Sequence, residues 1–328
     1  MNIKKIGMTA LAASLVSTSV FAGELTATGS ASLAVEGYSG AGLASDTAFS
    51  MGDSVILSGS TELDNGMTVT MSFELDGTSE STVSGLSAYD DNSLTISSDA
   101  MGTMKFSAHG GSSASSALDT TAAGDMWDSF DGTANTLTVA GSATKAAGAG
   151  NNSIFYTLPS MVDGLAVSTS LATVGTTGNS ALGYSATYSG VDGLSVSYGI
   201  ADVNSGLAST SGDQTAMKAS YAYGPVTLSY SNSEYTLGSG ATEAAQQDVT
   251  SYAVSYTVSD ALSVTYGTET IESGLAGSVD AEYQGVTVAY TAGGMTVTAK
   301  SQEADAISHT SASNEDYDYW SLGLSFAF

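Results

Sequence analysis

The chain has 328 residues with 33 Asp plus Glu against 6 Lys and no Arg, a formal charge of −27, and no Cys. So few cations cannot assemble a basic surface for phosphates, which excludes nucleic acid as a partner. The missing thiols exclude disulfide frameworks, thiolate zinc sites and cysteine nucleophiles.

Residues 1–22 read as a secretory signal peptide. Lys4 and Lys5 precede an uncharged run from Ile6 to Val20, and Val20, Phe21 and Ala22 place small or modest residues where a signal peptidase reads. A membrane anchor is the weaker reading, because the run is short and rich in Ala, Ser and Thr. Removing the peptide takes away two lysines and no acid, leaving residues 23–328 at a charge of −29. No later stretch approaches the roughly 18 consecutive apolar residues of a spanning helix.

The rest of the chain is a near-continuous series of period-2 segments. Met67, Val69, Met71, Phe73 and Leu75 alternate with Thr68, Thr70, Ser72, Glu74 and Asp76. The pattern returns in Leu194, Val196, Tyr198 and Ile200, in Val226, Leu228 and Tyr230, in Tyr252, Val254, Tyr256 and Val258, and in Leu262, Val264 and Tyr266. Each reads as a strand with one greasy and one wet face. Helix is not favoured after residue 22, a short turn between Gly110 and Gly150 excepted. Val279, Ala281 and Tyr283 are odd whereas Val286, Val288 and Tyr290 are even, so a β-bulge is expected at Gly285.

Short turns read at 64–66, 98–102, 159–164, 189–193, 224–225, 259–261 and 292–294. Polar loops read near 38–52, 77–91, 110–149, 174–179, 204–212, 237–247, 272–278 and 305–314. Fifteen connections imply sixteen strands. The apolar faces are too numerous for the core of a soluble sandwich, and the polar faces are mostly Ser, Thr, Gly and Ala. A closed antiparallel transmembrane β-barrel fits, with apolar residues facing lipid, polar residues facing water, and every sheet edge paired. Lys105, Lys218 and Lys300 all fall on the polar parity of their strands, as do Glu36, Glu62 and Glu74. Tyr156, Tyr188, Tyr223, Tyr252 and Tyr290 suit interfacial girdles, although ordinary sheet packing is the rival reading.

At the C-terminus Trp320, Leu322, Leu324, Phe326 and Phe328 alternate with Ser321, Gly323, Ser325 and Ala327. Here the sequence resembles bacterial outer-membrane general diffusion porins, and it looks most like the sixteen-stranded alpha-proteobacterial type. The resemblance covers residues 23–328 and includes hairpins such as Leu57–Leu75 and Asn152–Ala172. It implies an outer-membrane homotrimer in a Gram-negative bacterium, passive diffusion of small hydrophilic solutes and ions, and recognition of Phe328 by the barrel-assembly machinery. It also implies a third extracellular loop folded into the lumen as a constriction.

The third loop here is the longest, and it carries Asp119, Asp125, Asp128 and Asp131, with Trp127 and Phe130 able to pin it to the wall. A solvated surface loop is the alternative, and Thr136–Ala140 could be an extra strand. Porin eyelets usually set loop acids against an Arg cluster on the wall. This chain offers only Lys105, Lys218 and Lys300 on the wall and Lys145 in the loop, so a net-negative, cation-preferring lumen is expected. The pore-constriction residues are therefore expected among Asp119, Asp125, Asp128, Asp131, Lys105, Lys218, Lys300, Glu36, Glu62 and Glu74.

Enzyme signatures are poor: no two glycines stand four apart, and His109 and His309 are the only histidines. No cofactor is expected, although Asp125, Asp128 and Asp131 could hold a structural Ca2+ despite the wrong spacing for an EF-hand. A substrate-selective outer-membrane channel and a secreted structural or adhesive β-protein are the competing functions.

Overall fold

The computed structural model describes residues 25–40, 47–76, 89–115, 118, 120–130, 151–174, 179–204, 212–237, 247–274, 276–309 and 316–328. Residues 1–24, which include the expected signal peptide, and Asp119, Asp131, Lys145 and the Thr136–Ala140 segment lie outside the described residues. Sixteen strands are present: β1 (Leu25–Gly40), β2 (Thr47–Glu62), β3 (Thr68–Asp76), β4 (Tyr89–Ser98), β5 (Gly102–His109), β6 (Ser153–Thr157), β7 (Leu165–Val174) and β8 (Asn179–Val191), then β9 (Leu194–Asn204), β10 (Gly212–Tyr223), β11 (Val226–Leu237), β12 (Gln247–Ser259), β13 (Leu262–Ser273), β14 (Ala281–Ala292), β15 (Met295–Asp305) and β16 (Tyr317–Ala327). Each pairs antiparallel with its sequence neighbours, and β1 pairs with β16 to close the barrel.

The seam is made at the ends of the chain. Gly29 donates to the Phe328 carbonyl at 2.7 Å and Phe328 returns a bond to Gly29 at 3.0 Å. The Phe328 ring lies so close over β1 that a Cβ at position 29 would stand 2.4 Å from its Cε2. Only glycine admits that contact. Closure leaves no edge strand, the condition a sheet must meet inside lipid.

The alternation that defines each strand sorts its two faces. On β12, Tyr252, Val254, Tyr256 and Val258 are all at least 47% exposed on the outer wall, while Ser251 and Ala253 on the inner wall are at most 5% exposed. Phe49, Met51 and Val55 on β2 and Trp320, Leu322 and Phe326 on β16 continue the outer apolar surface. A bare apolar belt of this extent is stable only against hydrocarbon. Tyr188, Tyr223 and Tyr290 stand on the outer wall beside the short turns, where an amphipathic ring meets the headgroups.

Two expectations fail. The region read as a loop over 38–52 is shorter, because β1 runs to Gly40 and β2 starts at Thr47, with Gly37 opposite Thr47. A ladder needs only backbone partners, so it continues past the point where side-chain alternation ends. No bulge occurs at Gly285, which pairs in unbroken register with Gly267 on one side and Gln302 on the other. The backbone keeps its phase, and the hydrophobic pattern inverts instead: Ala281 and Tyr283 face inward and are buried. Register shifts lie elsewhere, between Phe73 and Leu75, at Asn92/Ser93, between Tyr188 and Val191 and between Thr257 and Ser259. The short turn expected in the third loop is a 3-10 helix over Met126–Phe130.

Candidate functional site: the lumen and its inward loop

The third loop, L3, leaves β5 at His109 and runs along the inside of the barrel, meeting the strands in order. Ala114 donates its N–H to Ser170 Oγ on β7 at 2.7 Å. Leu118 packs over Gly199 on β9, where a Cβ would stand 2.6 Å from its Cδ1. Lys218 Nζ on β10 donates to the Thr120 carbonyl at 2.7 Å. Ala122 N–H reaches Ser231 Oγ on β11 at 2.7 Å, and Ala123 N–H reaches Ser251 Oγ on β12 at 2.9 Å. Thr121 Oγ1 donates to Glu269 Oε2 on β13 at 2.6 Å. Finally Tyr38 Oη on β1 donates to the Ser129 carbonyl at 2.9 Å. Inward serines thus accept the N–H groups of an irregular segment that water would otherwise have to satisfy.

The 3-10 helix supplies the apolar half of the attachment. Met126, Trp127 and Phe130 are buried with Val249, Ile271, Ala281, Tyr283, Ala304, Ile307 and Tyr319. Phe130 is fully buried, its ring 5.7 Å from that of Tyr283 and 6.0 Å from that of Tyr319 in tilted arrangements. A small hydrophobic core therefore sits inside the lumen, on the wall of β12–β16. It explains the inverted pattern on β14, since Ala281 and Tyr283 face the loop rather than lipid.

A closed sixteen-stranded barrel, an apolar outer belt and a loop folded along the inner wall describe a channel across a membrane. Residues 7–328 match the Gram-negative porin family. The chain belongs to that family. It is a β-barrel of the outer membrane of a Gram-negative bacterium, and it forms a porin channel. An engineered variant of the Rhodopseudomonas blastica porin is 17% identical, covers 93% of this chain and 100% of its own, and superimposes with a TM-score of 0.66. The anion-selective porin from Comamonas acidovorans is 17% identical, covers 93% of this chain and 99% of its own, with a TM-score of 0.63. At that identity the likeness is one of fold. No curated protein matches the sequence significantly.

The porin sorts its sequence-predicted site residues into different roles. Lys218 is bound to L3. Glu36 accepts from Tyr319 Oη at 2.9 Å, beside the Tyr38 ring that touches the loop. Asp125, at φ 52°, exchanges bonds with Thr121: its Oδ1 accepts the Thr121 N–H and its own N–H goes to Thr121 Oγ1, both at 2.8 Å. That carboxylate fixes the loop's shape. Asp128 is exposed on the 3-10 helix.

Of the remaining predicted residues, Glu62, Glu74 and Lys105 stand on strands that the described anchors of L3 do not use, whereas Lys300 shares β15 with Ala304, which packs against the 3-10 helix. Glu74 is opposite Ile56, and Lys105 is opposite Thr95 and Phe155. Glu62 lies at the turn end of β2, away from L3. Lys300 is inward on β15, opposite Thr287 and Ser321. Sequence reasoning overlooked two acids. Asp91 shares the electrostatic surroundings of Glu74, Lys105 and His109, and its carboxylate, that of Asp90 and the His109 ring offer ligand atoms within 4.8 Å of one another. Glu269 is 1% exposed beneath L3. Its odd number in the Leu262, Val264, Tyr266 strand was the available signal, because that parity faces inward.

Proposed function

We propose that this porin is a cation-preferring general diffusion channel, passing small hydrophilic solutes and ions through a lumen narrowed by L3, and that it works as a homotrimer. The observation that carries the reading is the unequal supply of wall charge. The wall's positive charge comes from three strand lysines, Lys105, Lys218 and Lys300, and Lys218 keeps its charge while donating to the neutral Thr120 carbonyl. Against them the wall of β1–β4 alone carries Glu36, Glu62, Glu74 and Asp91, and the whole sequence holds 33 Asp plus Glu against 6 Lys and no arginine. Excess carboxylate in a confined aqueous path concentrates cations and repels anions. The Comamonas acidovorans porin is anion-selective, and the absence of arginine supports the opposite preference here.

The test is a planar-bilayer recording across a salt gradient. Ohmic channels opening in groups of three, with a zero-current potential of cationic sign, support the proposal. An anionic sign removes the charge argument, and channels that pass only one solute class point to a substrate-selective pore.

A further inference from the structure

Glu269 is a carboxylate with almost no access to the water it would need if it lined the solute path. It is 1% exposed, flanked across the ladder by Ser251 and Tyr283. Its hydrogen-bond donors are neutral: the Thr121 hydroxyl at 2.6 Å and the Trp127 N–H at 3.4 Å. Burying a carboxylate costs free energy that is offset here by hydrogen bonds from L3, so the side chain is tolerated only with the loop in place.

That structure is the turn of L3. Asp125 N–H donates to Thr121 Oγ1, and the same hydroxyl donates onward to Glu269, forming a short polarised chain. Whereas Ser231 and Ser251 each accept one loop N–H, Glu269 touches both the turn at Thr121 and the start of the 3-10 helix at Trp127. It joins the polar half of the attachment to the apolar half.

We propose that Glu269 is a positioning residue for the channel, holding residues 121–127 of L3 against β13 and so fixing the aperture, without itself facing the solute path. The proposal rests on the porin reading, deepening it by naming what sets the width. Its consequence is a separation of properties: Glu269 governs the steadiness and size of the opening, while ion preference belongs to wetted wall charges such as Lys105 and Glu74.

The experiment compares E269A, E269Q and T121V with wild type in planar bilayers and, separately, by chymotrypsin cleavage after Trp127 or Phe130 in detergent. E269A should switch between conductance levels about tenfold more often than wild type, equivalent to a loss of ~1.4 kcal/mol of loop holding, with its zero-current potential unchanged. E269Q keeps one oxygen for Thr121 but turns an NH2 toward the Trp127 N–H, so it should fall between wild type and E269A. T121V breaks the same bond from the other side and reproduces E269A, and the double variant adds little to either. Steady wild-type conductance in both E269A and T121V overturns the proposal. So does a zero-current shift shared by E269A and E269Q with quiet channels, the mark of a pore-lining charge. Proteolysis decides the matter independently of current. Should wild type conduct nothing, the channel reading fails, yet faster loop cleavage in E269A and T121V still supports the latch, and equal cleavage still removes it.

Discussion

Lys218 on β10 donates through Nζ to the backbone carbonyl of Thr120 at 2.7 Å, so a lysine that parity alone marks as pore-lining is a fastener for the loop that crosses in front of it. Lys105 has a different setting, among Asp91, Glu74 and the β4 and β6 wall. The two lysines should therefore separate in function.

Replacing Lys105 by Gln removes a wetted positive charge and should move the zero-current potential further in the cationic direction. Lys218→Gln removes a charge as well and should shift that potential in the same direction, but it alone should also make the conductance less steady, because the lost group holds L3. Bilayer recordings of both variants check this, and an unmoved potential in Lys105→Gln takes that residue out of the selectivity mechanism.

Phe130 fills the centre of the lumen core against Tyr283 and Tyr319. Phe130→Ala should destabilise the attached loop by about 3–5 kcal/mol, since the strands around the cavity cannot collapse into it. Leu228→Ala, on the outer wall, opens no cavity and should change little. Differential scanning calorimetry in detergent, with chymotrypsin cleavage reporting on L3, distinguishes the two.

Gly267 on β13 lies under Ala123, and a Cβ there would stand 2.6 Å from the Ala123 Cβ and 3.2 Å from its Cα. Because a methyl fixed to the loop backbone rather than a flexible side-chain tip is in the way, Gly267→Ala should lift the loop at a cost of ~1–3 kcal/mol. Ala123→Gly in the same chain should recover much of that loss. A double-mutant cycle on thermal stability measures the coupling, and additive losses would mean that the two positions do not meet.

The outer wall makes its own prediction. Val254→Lys places an ammonium in the apolar belt and should weaken folding into lipid vesicles by about 2–4 kcal/mol. Ser255→Lys, one residue on and facing the lumen, should be tolerated. Urea titration of vesicle-folded protein gives both values, and equal penalties would contradict the assignment of faces.

The strands were legible because a period of two is a local property: each residue's face follows from its number once the strand is recognised, and lipid outside enforces the rule strongly. The strand count, the short turns and the inward placement of Lys218 came from that regularity. Trp127 and Phe130 were legible as candidate pins because large apolar side chains in a polar loop need somewhere to go.

The expected bulge at Gly285 failed for one reason. Val249, Ile271, Tyr283 and Tyr319 sit on the inner parity yet are apolar, and Ala281 with Tyr283 mimicked a bulge at Gly285. Periodicity reports which face a residue occupies but is silent about what lies against that face. The sequence by itself determined the barrel, its outer belt and the shortage of positive charge, since these depend on alternation and composition. Only the tertiary structure decided that L3 lies along β7–β13 and reaches β1, and that Lys218, Glu36, Asp125 and Glu269 serve the loop. The contacts of Lys218, Glu269 and Glu36 join residues 98 to 283 positions apart and exist only once closure brings the inner wall around the loop, while Asp125 closes a turn within the loop itself.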